Sequence, residues 1–115
     1  PMSSASATIE QLREPTRALR SAIPETWKAF AGLHGAVMAE GELSTVTKEL
    51  IALAIAVSTE CDGCIAYHAK AAARAGATSA QVAEMLGVCL LMSGGPASVY
   101  GPRAFAAFAE FAPDA

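Results

Sequence analysis

Residues 44–57 read Ser-Thr-Val-Thr-Lys-Glu-Leu-Ile-Ala-Leu-Ala-Ile-Ala-Val, and this stretch decides the class of fold. Ser44 or Thr45 can cap a helix, and Leu50 to Val57 is apolar on nearly every side, so the helix belongs in the centre of the structure. The apolar run falls well short of the roughly 20 residues that a membrane-spanning helix needs. Glu49 is the only ionisable residue between Lys48 and Glu60, and it shares a helical face with Val46, Leu53 and Ala56. That placement predicts a desolvated carboxyl, the condition under which a carboxyl group can shuttle protons near neutral pH.

Outward from this core helix the same reading repeats. On the N-terminal side, Pro24 suits the first turn of a helix to about Ala39, closed by Gly41, that packs through an aromatic stripe of Trp27, Phe30, Leu33 and Val37. Ile9 to Ser21 forms a further helix, whose start Pro15 either delays or kinks, and Pro1 to Ala7 is expected to be disordered. On the C-terminal side, Asp62 opens a helix that stops at Gly76. Thr78-Ser79-Ala80-Gln81 is a capping box for a helix through about Met92. Ser93-Gly94-Gly95-Pro96 breaks the chain, and a last helix runs from Ala97 or Pro102 to Phe111. No stretch alternates apolar with polar residues at period two, so strands are not indicated and the fold is expected to be all-α.

The 115 residues amount to one domain, divided here into an N-terminal segment at 1–22 and a helical domain at 23–112. Hydrophobic residues make up 53% and charged residues 17%, which excludes a disordered tail. A chain this short buries only part of such an apolar share by itself, so a homo-oligomer is expected. A net charge of −3 argues against nucleic acid and anionic membrane as partners. With no basic start or apolar core at the N-terminus to make an export signal, the expected setting is cytoplasmic.

Three cysteines, two of them in Cys61-Asp62-Gly63-Cys64, point to redox or metal chemistry rather than to a disulfide framework. A spacing of three at a helix start permits a bridge, and the helix N-terminus favours the thiolate. His68 follows Cys64 by one turn, so the two stack on one face with Cys61 close by. Ile65, Ala72 and Ala75 share that face and Lys70 and Arg74 oppose it, which predicts that the cluster points inward. The helix dipole favours Cys61 as the nucleophile; the neighbouring base favours Cys64, which is preferred because a base both removes and returns the proton.

Glu49, Cys61-x-x-Cys64 and His68, with Leu43-Ser44, Lys48-Glu49-Leu50, Ala75-Gly76-Ala77, Gly94-Gly95-Pro96-Ala97 and Tyr100, resemble the AhpD-like alkylhydroperoxidases of the carboxymuconolactone decarboxylase superfamily. The resemblance spans roughly Pro24 to Phe111. It implies a helical bundle that forms trimers or hexamers, and reduction of organic hydroperoxide or hydrogen peroxide. Cys64 would attack the peroxide, Cys61 would resolve the sulfenic acid, and Glu49 and His68 would relay protons. The best-studied members carry a second histidine just before the peroxidatic cysteine, where this chain has Gly63.

Other residues read more plainly. Cys89, within the apolar Met85 to Met92, is expected in the core, and Phe105, Phe108 and Phe111 are expected to pack within or between subunits. His34 is expected to be structural or interfacial, and nothing in the sequence orients Tyr67 or Tyr100. No Gly-rich phosphate loop is present, so no cofactor is assigned and reducing equivalents must come from an external dithiol such as a lipoyl or thioredoxin-like protein. Two other uses of these residues are a disulfide oxidoreductase and a redox-sensing or metal-binding protein, the latter with Cys61, Cys64, His68 and Glu49 as ligands. A decarboxylase-type lyase is a further alternative, disfavoured because that branch lacks the cysteine pair.

Overall fold

A computed structural model describes residues 4–113 as six helices: α1 (Ala5–Ala22), α2 (Pro24–Met38), α3 (Thr45–Ser58), α4 (Asp62–Ala75), α5 (Ser79–Ser93) and α6 (Gly95–Ala109). No strand occurs among the described residues, and the fold is all-α. The apolar α3 packs chiefly on α4 and also meets α5 and α6, but it is not enclosed on every side as residues 50–57 imply, because Ile51 and Ile55 are 45% and 58% exposed. Leu53 and Val57 of α3, Val82 of α5 and Phe108 of α6 are fully buried. Truncating such a side chain to Ala typically costs about 2–5 kcal/mol.

Local chemistry sets the ends of these helices. Ser44 Oγ accepts from the Thr47 amide at the start of α3. At α5 both halves of the capping box form: Thr78 Oγ1 accepts from the Gln81 amide and Gln81 Oε1 accepts from the Thr78 amide. Gly76 ends α4 with φ of 101°, a left-handed conformation that a Cβ would strain.

Three expectations need correction. First, α1 starts at Ala5 and runs through Pro15, so the start is not delayed, and residues 4–7 are not disordered; Pro1 to Ser3 lie outside the described residues. The reason is tertiary: the Glu110 carboxylate accepts from the amides of Ala5 (2.8 Å) and Ser6 (3.0 Å), while Ser4 Oγ accepts from that of Ala7. These contacts satisfy donors that the first turn of a helix leaves free. Desolvation raises the Glu110 carboxyl, but hydrogen bonds from the amides of Ser6 and Ala5 and the hydroxyls of Ser6 and Ser4 together outweigh it and hold the group below its ordinary value.

Second, α6 begins at Gly95 and ends at Ala109, so the break at 93–96 reduces to Gly94, with φ of 60°. Pro96 is accommodated because it falls in the first turn, where no intrahelical donor is required. Third, the aromatic stripe of α2 is not packed into the chain. The helix has no buried residue; Phe30 and Leu33 are each 60% exposed, and Trp27 meets Phe30 edge-on at 5.8 Å. Its C-terminal end is tied to α3 instead, where Thr45 Oγ1 donates to the Met38 carbonyl and Lys48 Nζ to that of Ala39.

Candidate active site

The site is built at the turn from α3 into α4. α3 ends with paired bonds from the Glu60 amide to the Val57 carbonyl and from the Cys61 amide to the Ala56 carbonyl. This wrap requires a left-handed residue, and Glu60 supplies it with φ of 55° where glycine is the usual choice. Cys61 thus spends its amide on the end of α3 while its side chain serves the start of α4. Its Sγ caps α4 and accepts from the Cys64 amide at 3.2 Å.

Cys61 and Cys64 are joined as a disulfide across this first turn, with Cα atoms 5.2 Å apart. Cys64 is exposed and Cys61 half-buried. The expectation that the cluster points inward is therefore corrected for Cys64. The buried face of α4 is Ile65, Ala66, Ala69 and Ala72, which leaves Cys64 at the rim of the packed face. Gly63 sits under α1: a Cβ there would already lie 3.4 Å from Leu12 Cδ1.

His68 and Glu49 meet across the α3–α4 contact, with His68 Nδ1 2.8 Å from Glu49 Oε1. The Glu49 side chain is 5% exposed and that of His68 25%, so the pair spans from core to surface. With the carboxylate ionised, Nδ1–H donates to it, which fixes the ring and leaves Nε2 as the nitrogen able to take a proton. A buried carboxylate needs such a partner, and no buried side-chain nitrogen or oxygen among the described residues lacks one.

The expectation that His34 is structural or interfacial gives no sign that it meets His68. The His34 ring, exposed on α2, stacks on that of His68 with centroids 6.5 Å apart and planes at 25°. The chain has two histidines, and they meet here, but no spacing rule links positions 34 and 68. Cys89 lies where expected, buried, with Sγ near the Ala54 carbonyl and Met85 Sδ; burial pushes its thiol up, against a smaller opposing effect of the backbone. Phe108 is buried, Phe105 exposed, and Phe111 half-buried beneath Lys70. Tyr67 is 42% exposed, and Tyr100 faces Arg103. Among the described residues no three His, Cys, Asp or Glu side chains converge as a metal ion would require. No helix among them is long and apolar enough to cross a membrane.

A helical fold built round a cysteine pair at a helix start, beside a buried carboxylate–imidazole pair, defines a class of protein that comparison with known proteins makes specific. The sequence profile of the carboxymuconolactone decarboxylase family matches residues 24–111, and the chain belongs to that family. It is 42% identical over 100 residues to an uncharacterized protein of Cupriavidus necator, covering 87% of this chain and 88% of the other. Uncharacterized protein 4 of the cox locus of Paracoccus denitrificans is 42% identical over 82 residues, 71% of this chain and 74% of its own. The crystal structure of apo-lpg0406, a carboxymuconolactone decarboxylase family protein from Legionella pneumophila, superposes with a TM-score of 0.90 at 36% identity, covering 93% of this chain and 96% of that one.

Proposed function

We propose that the protein is a thiol-dependent peroxidase in which Cys64 attacks the peroxide, Cys61 resolves the product and the Glu49–His68 pair carries the proton. The observation behind the reading is the 2.8 Å contact between His68 Nδ1 and buried Glu49, one helical turn from Cys64. A histidine that takes a thiol proton becomes a cation, and in a partly buried site that cation needs a nearby carboxylate.

In the reduced protein His68 removes the Cys64 proton, and the thiolate displaces at the near peroxide oxygen. An S–O bond forms, the O–O bond breaks, and two electrons pass from sulfur to oxygen. The departing alkoxide takes the proton from His68, so Cys64–SH and ROOH become Cys64–SOH and ROH. Cys61 then attacks the sulfenic sulfur, forming the S–S bond and releasing hydroxide, which leaves as water once protonated. The position of Cys61 favours this step, because the Cys64 amide that its Sγ accepts also stabilises negative charge on it.

An external dithiol, such as a lipoyl or thioredoxin-like protein, returns the two electrons. Its thiolate meets the exposed Cys64 sulfur, and Cys61 leaves as the better-stabilised thiolate. That second half-reaction alone would make a disulfide oxidoreductase, and the exposed Cys64 beside the capping Cys61 favours this as the second reading. The substrate class is organic hydroperoxide or hydrogen peroxide, and the setting proposed is cytoplasmic. The bare face of α2 supports a homo-oligomer, a trimer or hexamer, in which a neighbouring subunit covers Phe30, Leu33 and Val37.

The test is a count of free thiols in metal-free, pre-reduced protein before and after one equivalent of organic hydroperoxide. Loss of two thiols per chain with release of the matching alcohol is expected. Thiols that survive the peroxide, but are lost to the disulfide form of an exchange partner, which is reduced to its dithiol in return, would leave the oxidoreductase in its place.

A further inference from the structure

A concave site lies between α1 and α4, beginning one turn of α4 past Cys64. It is a groove of about 300 Å³ whose walls include Ile9, Arg13, Arg17 and Arg20 of α1 and Tyr67 and Lys70 of α4. The chain has eight Lys and Arg and eleven Asp and Glu, yet four of the eight cations line this one groove and none of the acids does. Arg13, Arg17 and Arg20 fall at i, i+4 and i+7, which brings three guanidinium groups onto one face of α1. In a protein of net charge −3 that segregation concentrates positive potential in a single concavity.

The cations are available to a ligand. Arg13 and Arg17 pair only with Glu10 and Glu14 on their own helix, and those carboxylates are 69% and 74% exposed. Exposed i,i+3 pairs of this kind hold their partners weakly. No carboxylate lies within ion-pair distance of Arg20 or Lys70 among the described residues; Lys70 instead sits 5.9 Å over the Phe111 ring.

The groove and the dithiol share the same two helices. Tyr67 is one turn past Cys64 on α4, and Lys70 lies six residues past it, about 9 Å along the helix axis and about 120° round it on the side that faces the groove. On the opposite wall α1 reaches the dithiol through Leu12, which covers Gly63, and Arg20 is about 12 Å further along. The groove's own lining adds Ile9, Thr16 and the Tyr67 ring to the cations, and Leu12 lies against Gly63 toward the dithiol.

We propose that this groove seats the anionic head group of the substrate, so that the preferred hydroperoxides are acidic amphiphiles. Arg17, Arg20 and Lys70 hold the anion, and the apolar chain runs past Tyr67 and Leu12 to present the peroxide to Cys64. The reactive end of this assignment rests on the peroxidase reading; the anion seat does not. A planar guanidinium pairs equally well with a carboxylate or a phosphate, so the head group is assigned by charge and the two sources are separated by experiment.

The test begins without peroxide. Binding of decanoate, decyl phosphate and decanol to the disulfide form is measured by calorimetry. Either anion should bind at least tenfold more tightly than decanol, and which of the two binds better identifies the head group. Arg20→Ala and the double variant Arg17→Ala/Arg20→Ala should lose most of that preference, and Arg20→Lys should recover part of it. Raising the salt concentration should weaken the anions alone. Equal affinity for decanoate and decanol would overturn the proposal, and so would selective binding of polyglutamate without decanoate, which would assign the groove to an acidic protein. The second arm compares a carboxylated hydroperoxide with its neutral counterpart: KM should be at least tenfold lower for the acid, with kcat similar. Turnover of both at equal KM would keep the peroxidase and remove the groove, whereas anion binding without turnover of either would keep the groove and remove the peroxidase.

Discussion

Replacing Glu49 by Gln removes the charge of the Glu49–His68 pair while keeping an oxygen that can accept from His68 Nδ1, so ring orientation and packing should survive. What is lost is the difference between a charge-assisted and a neutral hydrogen bond. Hydrogen bonds to charged groups contribute about 1.5–3 kcal/mol and neutral ones about 0.5–1.5, a gap of roughly 1–2 kcal/mol that falls on the state in which His68 has become a cation. Glu49→Gln should therefore slow thiolate formation at Cys64 by about 5- to 30-fold. His68→Ala removes the base itself and should cost about 100-fold or more. Because the carboxylate acts through the imidazole, their contact at 2.8 Å makes the two effects non-additive, and the double variant should be little worse than His68→Ala. The assay is the rate of Cys64 alkylation by iodoacetamide in reduced protein, followed against pH for all four proteins. Peptide mapping separates Cys64 from Cys61, and circular dichroism checks the fold. Effects that simply multiply, or a Glu49→Gln variant that reacts like the parent, would refute the relay and leave Glu49 a structural residue.

Cys61→Ser should trap a sulfenic acid on Cys64 after peroxide, detectable with dimedone, whereas Cys64→Ser should not react. The reverse pattern would make Cys61, at the helix cap, the attacking sulfur. Cys89 should resist alkylation in the native protein and react only on unfolding, because burial pushes its thiol up and screens it; mass spectrometry after timed labelling measures this. Glu60→Gly should stabilise the fold by about 0.5–1 kcal/mol in urea titrations, since glycine adopts φ of 55° without the cost that a Cβ incurs. Glu110, held below its ordinary value of 4.5, contributes stability that is fully present above that pH and is lost as the pH falls through its folded value. Glu110→Gln should accordingly flatten the acid limb of the stability curve, and an unchanged limb would count against the clamp on α1.

The parts of the fold that the sequence makes legible are those decided within a few residues. Ser44, the Thr78–Gln81 box and Gly76 act on their own backbone or on the adjacent turn, so the boundaries of α3, α4 and α5 follow from residue type and spacing. The Glu49–His68 meeting is legible in part: the apolar setting of Glu49 implies that it needs a partner, and the Cys64–His68 stack places a base on the next helix. Where a distant contact decides, local reading fails. The first turn of α1 is fixed by Glu110, 105 residues away from Ala5, and its helical course through Pro15 is not deducible from the proline. The stack of His34 on His68 likewise joins two helices whose sequences carry no mark of each other. The α2 stripe has helical periodicity but lies open in the single chain, because periodicity specifies that a face must be covered and not what covers it.

The clamp between Glu110 and the first turn of α1 also bears on the order in which the molecule is made. α1 emerges from the ribosome early, but the carboxylate that satisfies its first amides is synthesised 105 residues after Ala5, roughly 5 to 20 seconds later at ordinary elongation rates. In that interval α3, α4 and α5 can close round Glu49 and His68, while α1, with Leu12 and its row of arginines, has no seat at its leading end. The leading end of α1 is therefore capped only after the helix it packs on, α4, is complete. A nascent chain thus passes through a stage in which Cys61 and Cys64 are in place and the first turn of α1 has no carboxylate to cap it.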